Sequence, residues 1–302
     1  MESVLGKQLP PGDNYAESWE VVDHESGQSR VAAGPLQGTT LRQIVADHGQ
    51  ELFGRHHPQP GFPLLFKYLD SGKVLSVQVH PDDAAAALLD PPDLGKTEAW
   101  LVVHAEPGAL VYAGLKAGVD RRQLEEALAR GAVEECLHTL QPKAGDCLFI
   151  PAGVVHALGA GFVIAEIQQA SNTTFRLHDW NRVGPDGQPR ALHIEQSLRV
   201  IDFQRGPVEP QQPQATGEAG VERLVDCEKF VLERRRFEGV AKIGGDDRFH
   251  IVSVLRSGVS VSGDPSDAPL LRGQTILLPA SVGSVALTAT EPTEILDMYL
   301  PE

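Results

Sequence analysis

The sequence has no disulfide framework, no zinc knuckle and no membrane span. Its three cysteines, Cys136, Cys147 and Cys227, form no CxxC pair and are too few to staple a fold. We expect them to be reduced, buried thiols of a cytoplasmic protein. No window approaches the ~20 apolar residues that cross a bilayer. Met1-Glu2-Ser3-Val4-Leu5-Gly6 lacks the basic and apolar regions of a secretion signal. Basic residues are also in deficit, with 26 Lys and Arg against 41 Asp and Glu for a net charge of −15, and no basic arm or stripe stands out. A polyanionic backbone would be repelled, so neither nucleic acid nor an anionic membrane is an expected partner. A small phosphorylated substrate would need a local cluster of Lys and Arg working against that field.

What is present is an ordinary globular composition, 41% hydrophobic and 22% charged, over 302 residues. That length corresponds to about two domains at ~150 residues each. Thirty Gly and 22 Pro punctuate short apolar runs, the rhythm of a mainly β sandwich or barrel. Helices are expected over 39–53, with Thr39 and Thr40 as caps, over 120–137 around a break at Gly131, and within 191–203. The segment 206–220, with Pro207, Pro210 and Pro213, reads as a linker. It divides a larger domain, 1–205, from a smaller one, 221–302. Gly145 to Pro151 and Gly273 to Pro279 share a glycine, five residues and a proline, which supports two domains of one kind. Five residues after Pro151 stands His156; five after Pro279 stands Ser284, so the second copy has no metal ligand there.

Leu75-Ser76-Val77-Gln78-Val79-His80 alternates, which sets Ser76, Gln78 and His80 on one face of a strand. The segment from Lys96 to Val103 reads as a second strand, with Lys96, Glu98 and Trp100 sharing a face. A third element runs from Phe149 through the Pro151-Ala152-Gly153 turn to His156. Taken singly, Gln78 is a polar residue on a half-buried strand, each histidine a satisfied core imidazole, and Lys96 with Glu98 a surface pair. Taken together inside a barrel, these polar groups are costly unless they satisfy one another or an ion. Two imidazoles, a carboxylate and an amide oxygen suit zinc or a similar divalent metal.

Gly72 followed five residues later by Gln78-Val79-His80 resembles the first cupin motif, with Gln in place of its first histidine. Gly145 through Pro151-Ala152-Gly153-Val154-Val155-His156 resembles the second. More narrowly, 75–83, the Gly95-Lys96-Thr97-Glu98 block, 151–157 and 166–176 resemble type I mannose-6-phosphate isomerases of the short bacterial kind. The resemblance runs from about Glu17 to Asp202 and more faintly onward. It implies two cupin (jelly-roll β-barrel) domains with helical insertions, the first holding one zinc and the second degenerate. It also implies Gln78, His80, Glu98 and His156 as zinc ligands, and Arg176 and Lys96 as catalytic residues. The reaction implied is the exchange of mannose 6-phosphate and fructose 6-phosphate through a cis-enediol, by a monomer or homodimer. Arg182 and Lys116 are weaker candidates for the phosphate. One departure stands out: the family carries an aspartate four residues before the arginine, where this sequence has Asn172. Asp179 is the nearby carboxylate that could replace it. Two rival readings are a non-catalytic, sugar-phosphate-responsive regulatory bicupin, toward which Asn172 points, and an iron cupin oxygenase. A purely structural bicupin is disfavoured by the polar barrel face.

Overall fold

Short strands between turns are what the glycine and proline spacing dictates, and strands dominate the computed structural model, which describes residues 1–9, 15–184 and 187–302. Among the described residues no helix is long and apolar enough to cross a membrane. Two compact units are present, Leu69–Gln211 and a second made of Met1–Tyr68 with Gln212–Glu302. The strand Leu64–Ser71 runs across the division. This differs from the expected split, because the first 68 residues group with the C-terminal segment rather than with 69–205. The expected linker is not loose either. Val208 is buried in a core cluster and its N–H donates to Ala113, while Gln214–Ala215 pairs with Val221–Asp226. Proline removes donors from this segment but does not stop its apolar side chain from packing.

The unit Leu69–Gln211 contains two antiparallel layers. In one, Glu98–Ala105 lies between Phe162–Gln169 and Cys147–Ile150. In the other the order is Phe175–His178, Val77–Val79, His156–Leu158, Val111–Leu115, Leu137–Leu140. Trp100, Leu148, Ile150 and Ile164 from the first layer pack with Val111, Ala113 and Leu158 from the second. The opposite face of the second layer carries Val77, Val79, Ala157 and Leu177. It is covered by Leu124 and Ala127 of the helix Arg121–Arg130 and by Leu198 of the helix Ile194–Val200. Val77 and Val79 therefore face the helices, which leaves Gln78 facing the other layer. Leu75 does not continue this alternation: it precedes the strand and packs with the inter-layer cluster.

The helix Arg121–Arg130 starts where Asp120 and Gln123 form a reciprocal capping box, and it ends at Gly131 with φ 70°. The expected 120–137 helix thus stops early, and Val133–Cys136 forms a separate turn of 3₁₀ helix. The 191–203 candidate shortens to Ile194–Val200.

In the other unit the expected 39–53 helix is broken at His48: Thr40, one of the two expected caps, forms a capping box with Gln43 at the start of Leu41–Asp47, and Gly49–Phe53 follows as a separate helix. The long strands Val231–Gly244 and Ser284–Tyr299 pair along their length, and His250–Arg256 lies between Ser284–Tyr299 and Thr275–Leu278. His250 sits opposite Leu278 as Glu98 sits opposite Ile150. Both glycine-to-proline segments form the same local pattern of strand, turn and strand.

Candidate metal centre

The strand Val77–Val79 is bordered by Phe175–His178 on one side and His156–Leu158 on the other. Gln78 is opposite both Arg176 and His156. Directly opposed residues of antiparallel strands share a face. Arg176, Gln78 and His156 therefore form one row on the side turned from the helices. In the facing layer Glu98 is opposite Gln168 and Ile150, and Glu166 is opposite Trp100. Lys96 and Thr97 lie just before the strand Glu98–Ala105 instead of within it. Gly153, with φ 86°, makes the turn before His156, and its N–H donates to the His80 carbonyl at 2.9 Å. A side chain at that backbone angle would be strained.

The two layers bring the four expected ligands together. His156 Nε2 lies 3.2 Å from the Gln78 amide and 3.3 Å from Glu98 Oε1, and His80 Nε2 lies 3.5 Å from Glu98 Oε2. One ligand atom from each of His80, Glu98 and His156 falls within 4.8 Å of the others, and all three residues are buried. His80 Nδ1–H donates to the Thr173 carbonyl and His156 Nδ1–H to the Val154 carbonyl, each at 2.9 Å. Both rings thereby turn Nε2 toward Glu98. Burial pushes the His156 imidazole down to about 4, and the Lys96 charge adds to this. It is therefore neutral and able to ligate near pH 7. Amide nitrogen and oxygen exchange places by rotation, so Gln78 can present its oxygen at the same point.

Lys96 Nζ donates to Glu98 Oε2 at 2.7 Å, approaches His80 Nε2 at 3.1 Å and lies 3.9 Å from Glu166 Oε1. Trp100 meets the His156 ring edge-on at 5.3 Å between centroids. Buried polar atoms are normally satisfied. On this face Glu98 Oε1, Trp100 Nε1, Gln168 Oε1 and Arg176 Nε are buried with no hydrogen-bond partner among the described residues. A buried carboxylate with one bare oxygen beside His156 Nε2 and the other beside His80 Nε2 has the donor chemistry of a divalent-cation site, and the residues fit zinc.

Arg176 is less intimately placed. Its guanidinium donates to the Ala191 carbonyl at 2.9 Å, and burial followed by repulsion from Arg190 lowers its pKa. Arg182 and Arg190 both bind the Asp179 carboxylate, with Arg190 Nε at 2.8 Å. Lys116 is exposed and caps the Glu135 carbonyl at 2.8 Å. Asn172 is exposed, and Asp179 is committed to its two arginines, so neither supplies a carboxylate facing Glu98. Sequence reading did not assign roles to Glu166 and Gln168. Their signal was polar residues at alternate positions in the strand Phe162–Gln169, all of whose residues are buried.

In the other unit Ser284 is exposed, consistent with a second copy that has no ligand at this point. There His250 lies between Asp297 at 2.7 Å and Asp246 at 3.1 Å.

A family model described as phosphomannose isomerase type I, catalytic domain, matches residues 1–94. The mannose-6-phosphate isomerase of Streptococcus mutans is 36% identical over 276 residues, which is 91% of this chain and 85% of that protein. Mannose-6-phosphate isomerase ManA of Bacillus subtilis is 33% identical over 282 residues, 92% of this chain and 87% of its own. The crystal structure of the mannose 6-phosphate isomerase from Bacillus subtilis matches with a TM-score of 0.90 at 28% identity, covering 99% of this chain and 94% of that one. With its mainly β, cupin fold, the chain belongs to the family of type I mannose-6-phosphate isomerases.

Proposed function

We propose that this chain is an aldose–ketose isomerase that interconverts D-mannose 6-phosphate and D-fructose 6-phosphate through a cis-enediol, with one zinc held by Gln78, His80, Glu98 and His156. The observation that carries the reading is the buried Glu98 carboxylate, whose Oε1 has no hydrogen-bond partner among the described residues and lies 3.3 Å from His156 Nε2, while its Oε2 lies 3.5 Å from His80 Nε2. When bound, zinc supplies a Lewis acid that polarises sugar oxygens and stabilises enediolate charge.

The chain's own groups supply the rest. Aldose–ketose exchange moves a proton between adjacent carbons, which needs a base outside the ligand set. Glu166 is a buried carboxylate on the same face, opposite Trp100, and we assign it that role. Lys96 holds positive charge between Glu98 and Glu166 and donates to sugar oxygens as negative charge develops. Arg176, in register with Gln78, adds a second cation to the row. Arg182 and Arg190, which share one carboxylate, leave an excess of positive charge beside Arg176 for the phosphate. The near-complete burial of Glu98, His80 and His156 keeps bulk water from the reacting carbons.

The test is formation of fructose 6-phosphate from mannose 6-phosphate in a coupled assay, before and after chelation, with zinc add-back and metal analysis. Activity should vanish with the metal and return with zinc. His80→Ala should lose both metal and turnover. A metal-loaded chain that forms no ketose, or a variant that isomerises at the parent rate, overturns the reading. Iron in place of zinc after purification without added metal overturns the choice of metal.

A further inference from the structure

The two imidazoles of the centre are held in different ways. The Val154 carbonyl that fixes His156 belongs to the tight turn in which the Val154 N–H returns to the Pro151 carbonyl. The Thr173 carbonyl that fixes His80 belongs to 171–174, a stretch with no regular secondary structure, so backbone hydrogen bonding alone does not place it. What holds it comes from a distant loop. Asp93 Oδ2 accepts the Thr173 hydroxyl at 2.5 Å and the Ser171 hydroxyl at 2.9 Å, while Oδ1 accepts the N–H of Leu94 at 2.8 Å. The Asp93 N–H is itself anchored on the Ala86 carbonyl. Ser171 closes the loop by accepting the Thr173 N–H on its hydroxyl oxygen at 3.2 Å and the Gln168 amide on its carbonyl at 2.6 Å.

We propose that Asp93 is a positioning residue for the metal centre: through Thr173 it holds the carbonyl that fixes the tautomer and direction of the His80 ring. A carboxylate that accepts two hydroxyls places both more firmly than a neutral acceptor does. Asp93 also ties the segment that leads into Lys96 and Glu98 to the segment that leads into Arg176. Partners of this kind outside the ligand set set the orientation and basicity of a ligating imidazole. The inference rests on His80 being a metal ligand.

The experiment uses the full chain loaded with zinc, following transfer of zinc to a chromophoric chelator in the parent, Asp93→Ala, Asp93→Asn and Thr173→Val. Thr173→Val keeps the backbone carbonyl and removes only the hydroxyl tether. Asp93→Ala and Thr173→Val should each release zinc about 10-fold faster, in line with losses of such outer partners. Asp93→Asn, whose single amide oxygen can still accept the hydroxyls but is neutral and sets its NH2 against the Leu94 N–H, should release zinc at a rate between those of the parent and Asp93→Ala. The double variant Asp93→Ala/Thr173→Val should release zinc no faster than Asp93→Ala, because the two residues act in series. With cobalt in place of zinc, the visible absorption should change in Asp93→Ala and Thr173→Val, and less in Asp93→Asn. Thermal unfolding of the metal-free variants reads any loss of fold separately, and Thr173→Val carries the test if Asp93→Ala does not fold. Parent-like zinc release in both tether variants overturns the proposal, as does a double variant whose effects multiply. If the parent itself takes up no zinc, the metal-site reading falls and takes this inference with it. If the parent holds zinc and Asp93→Ala releases it at the same rate, only the role of Asp93 falls.

Discussion

Replacing Lys96 by Met should make the metal-free protein less stable and the metal tighter bound, a pair of opposite effects with one cause. Lys96, Glu98 and Glu166 are all at least nine-tenths buried. The Lys96 ammonium lies 2.7 Å from Glu98 and 3.9 Å from Glu166. At an effective dielectric of ~20 these separations correspond to attractions of about 6 and 4 kcal/mol before desolvation is charged. Desolvation takes back much of that, and removing one partner of a buried pair costs about 3–5 kcal/mol net. With a denaturant slope of about 2 kcal/mol per molar, the urea midpoint of the chelated protein should fall by about 1.5–2.5 M. Trp100, beside His156, provides a fluorescence signal close to the site. A dication in the same place feels the opposite: without the ammonium, Glu98 has no competing cation and the metal no repulsion. Isothermal titration with zinc should therefore show tighter binding in Lys96→Met even as turnover falls. An unchanged midpoint in chelator, or weaker zinc binding, would show that Lys96 does not balance these carboxylates.

Glu166→Gln preserves shape but removes the base; kcat should drop by about 10²–10⁴ with KM moving less than about 5-fold, and a parent-like kcat excludes the assignment. His250 provides a pH test in the other unit. Burial opposes its charge, but Asp297 and Asp246 outweigh burial and hold it up at about 9, against 6.5 unperturbed. The same cluster includes Arg248, stacked on Tyr299, with Arg235 bridging Asp297 to Glu233. A raised histidine stabilises fully below pH 6.5 and loses that contribution as pH climbs to 9. His250→Gln should therefore remove about 3 kcal/mol of pH-dependent stability over that interval, and identical urea midpoints versus pH for parent and variant would refute it. Asp120→Ala, which deletes the capping box of Arg121–Arg130, should cost about 1 kcal/mol in urea unfolding while leaving isomerase turnover unchanged.

The centre's ligand strand was legible because alternation is a local rule. Once Val77 and Val79 need an apolar layer, Gln78 must face the other way. Helix starts at Thr40 and Asp120 were legible for the same reason, since a capping box involves residues only three apart. Gln168 and Glu166 were harder to read because they sit in a strand whose remaining residues are mostly apolar, and their partners come from Glu98–Ala105 more than sixty residues away. The pairing of Arg182 and Arg190 on Asp179 was likewise invisible, because a charged residue in a loop carries no periodic mark of its partner. The linker reading of 206–220 failed on Val208, since proline content reports missing donors and not whether a side chain finds a core.

Residue type and spacing alone determined the β-rich character and where the helices Leu41–Asp47, Arg121–Arg130 and Ile194–Val200 begin to within a few residues, and marked Gln78, His80, Glu98 and His156 as candidates for ligand chemistry. Only the folded chain decided that Met1–Tyr68 groups with Gln212–Glu302, that Glu98 keeps one oxygen bare, and that Asp93 reaches the loop behind His80. Local order follows from backbone geometry and side-chain period, which act over a few residues. The rest depends on burial and hydrogen bonding between segments far apart in the chain, where no short-range pattern records which of many apolar or polar partners will meet.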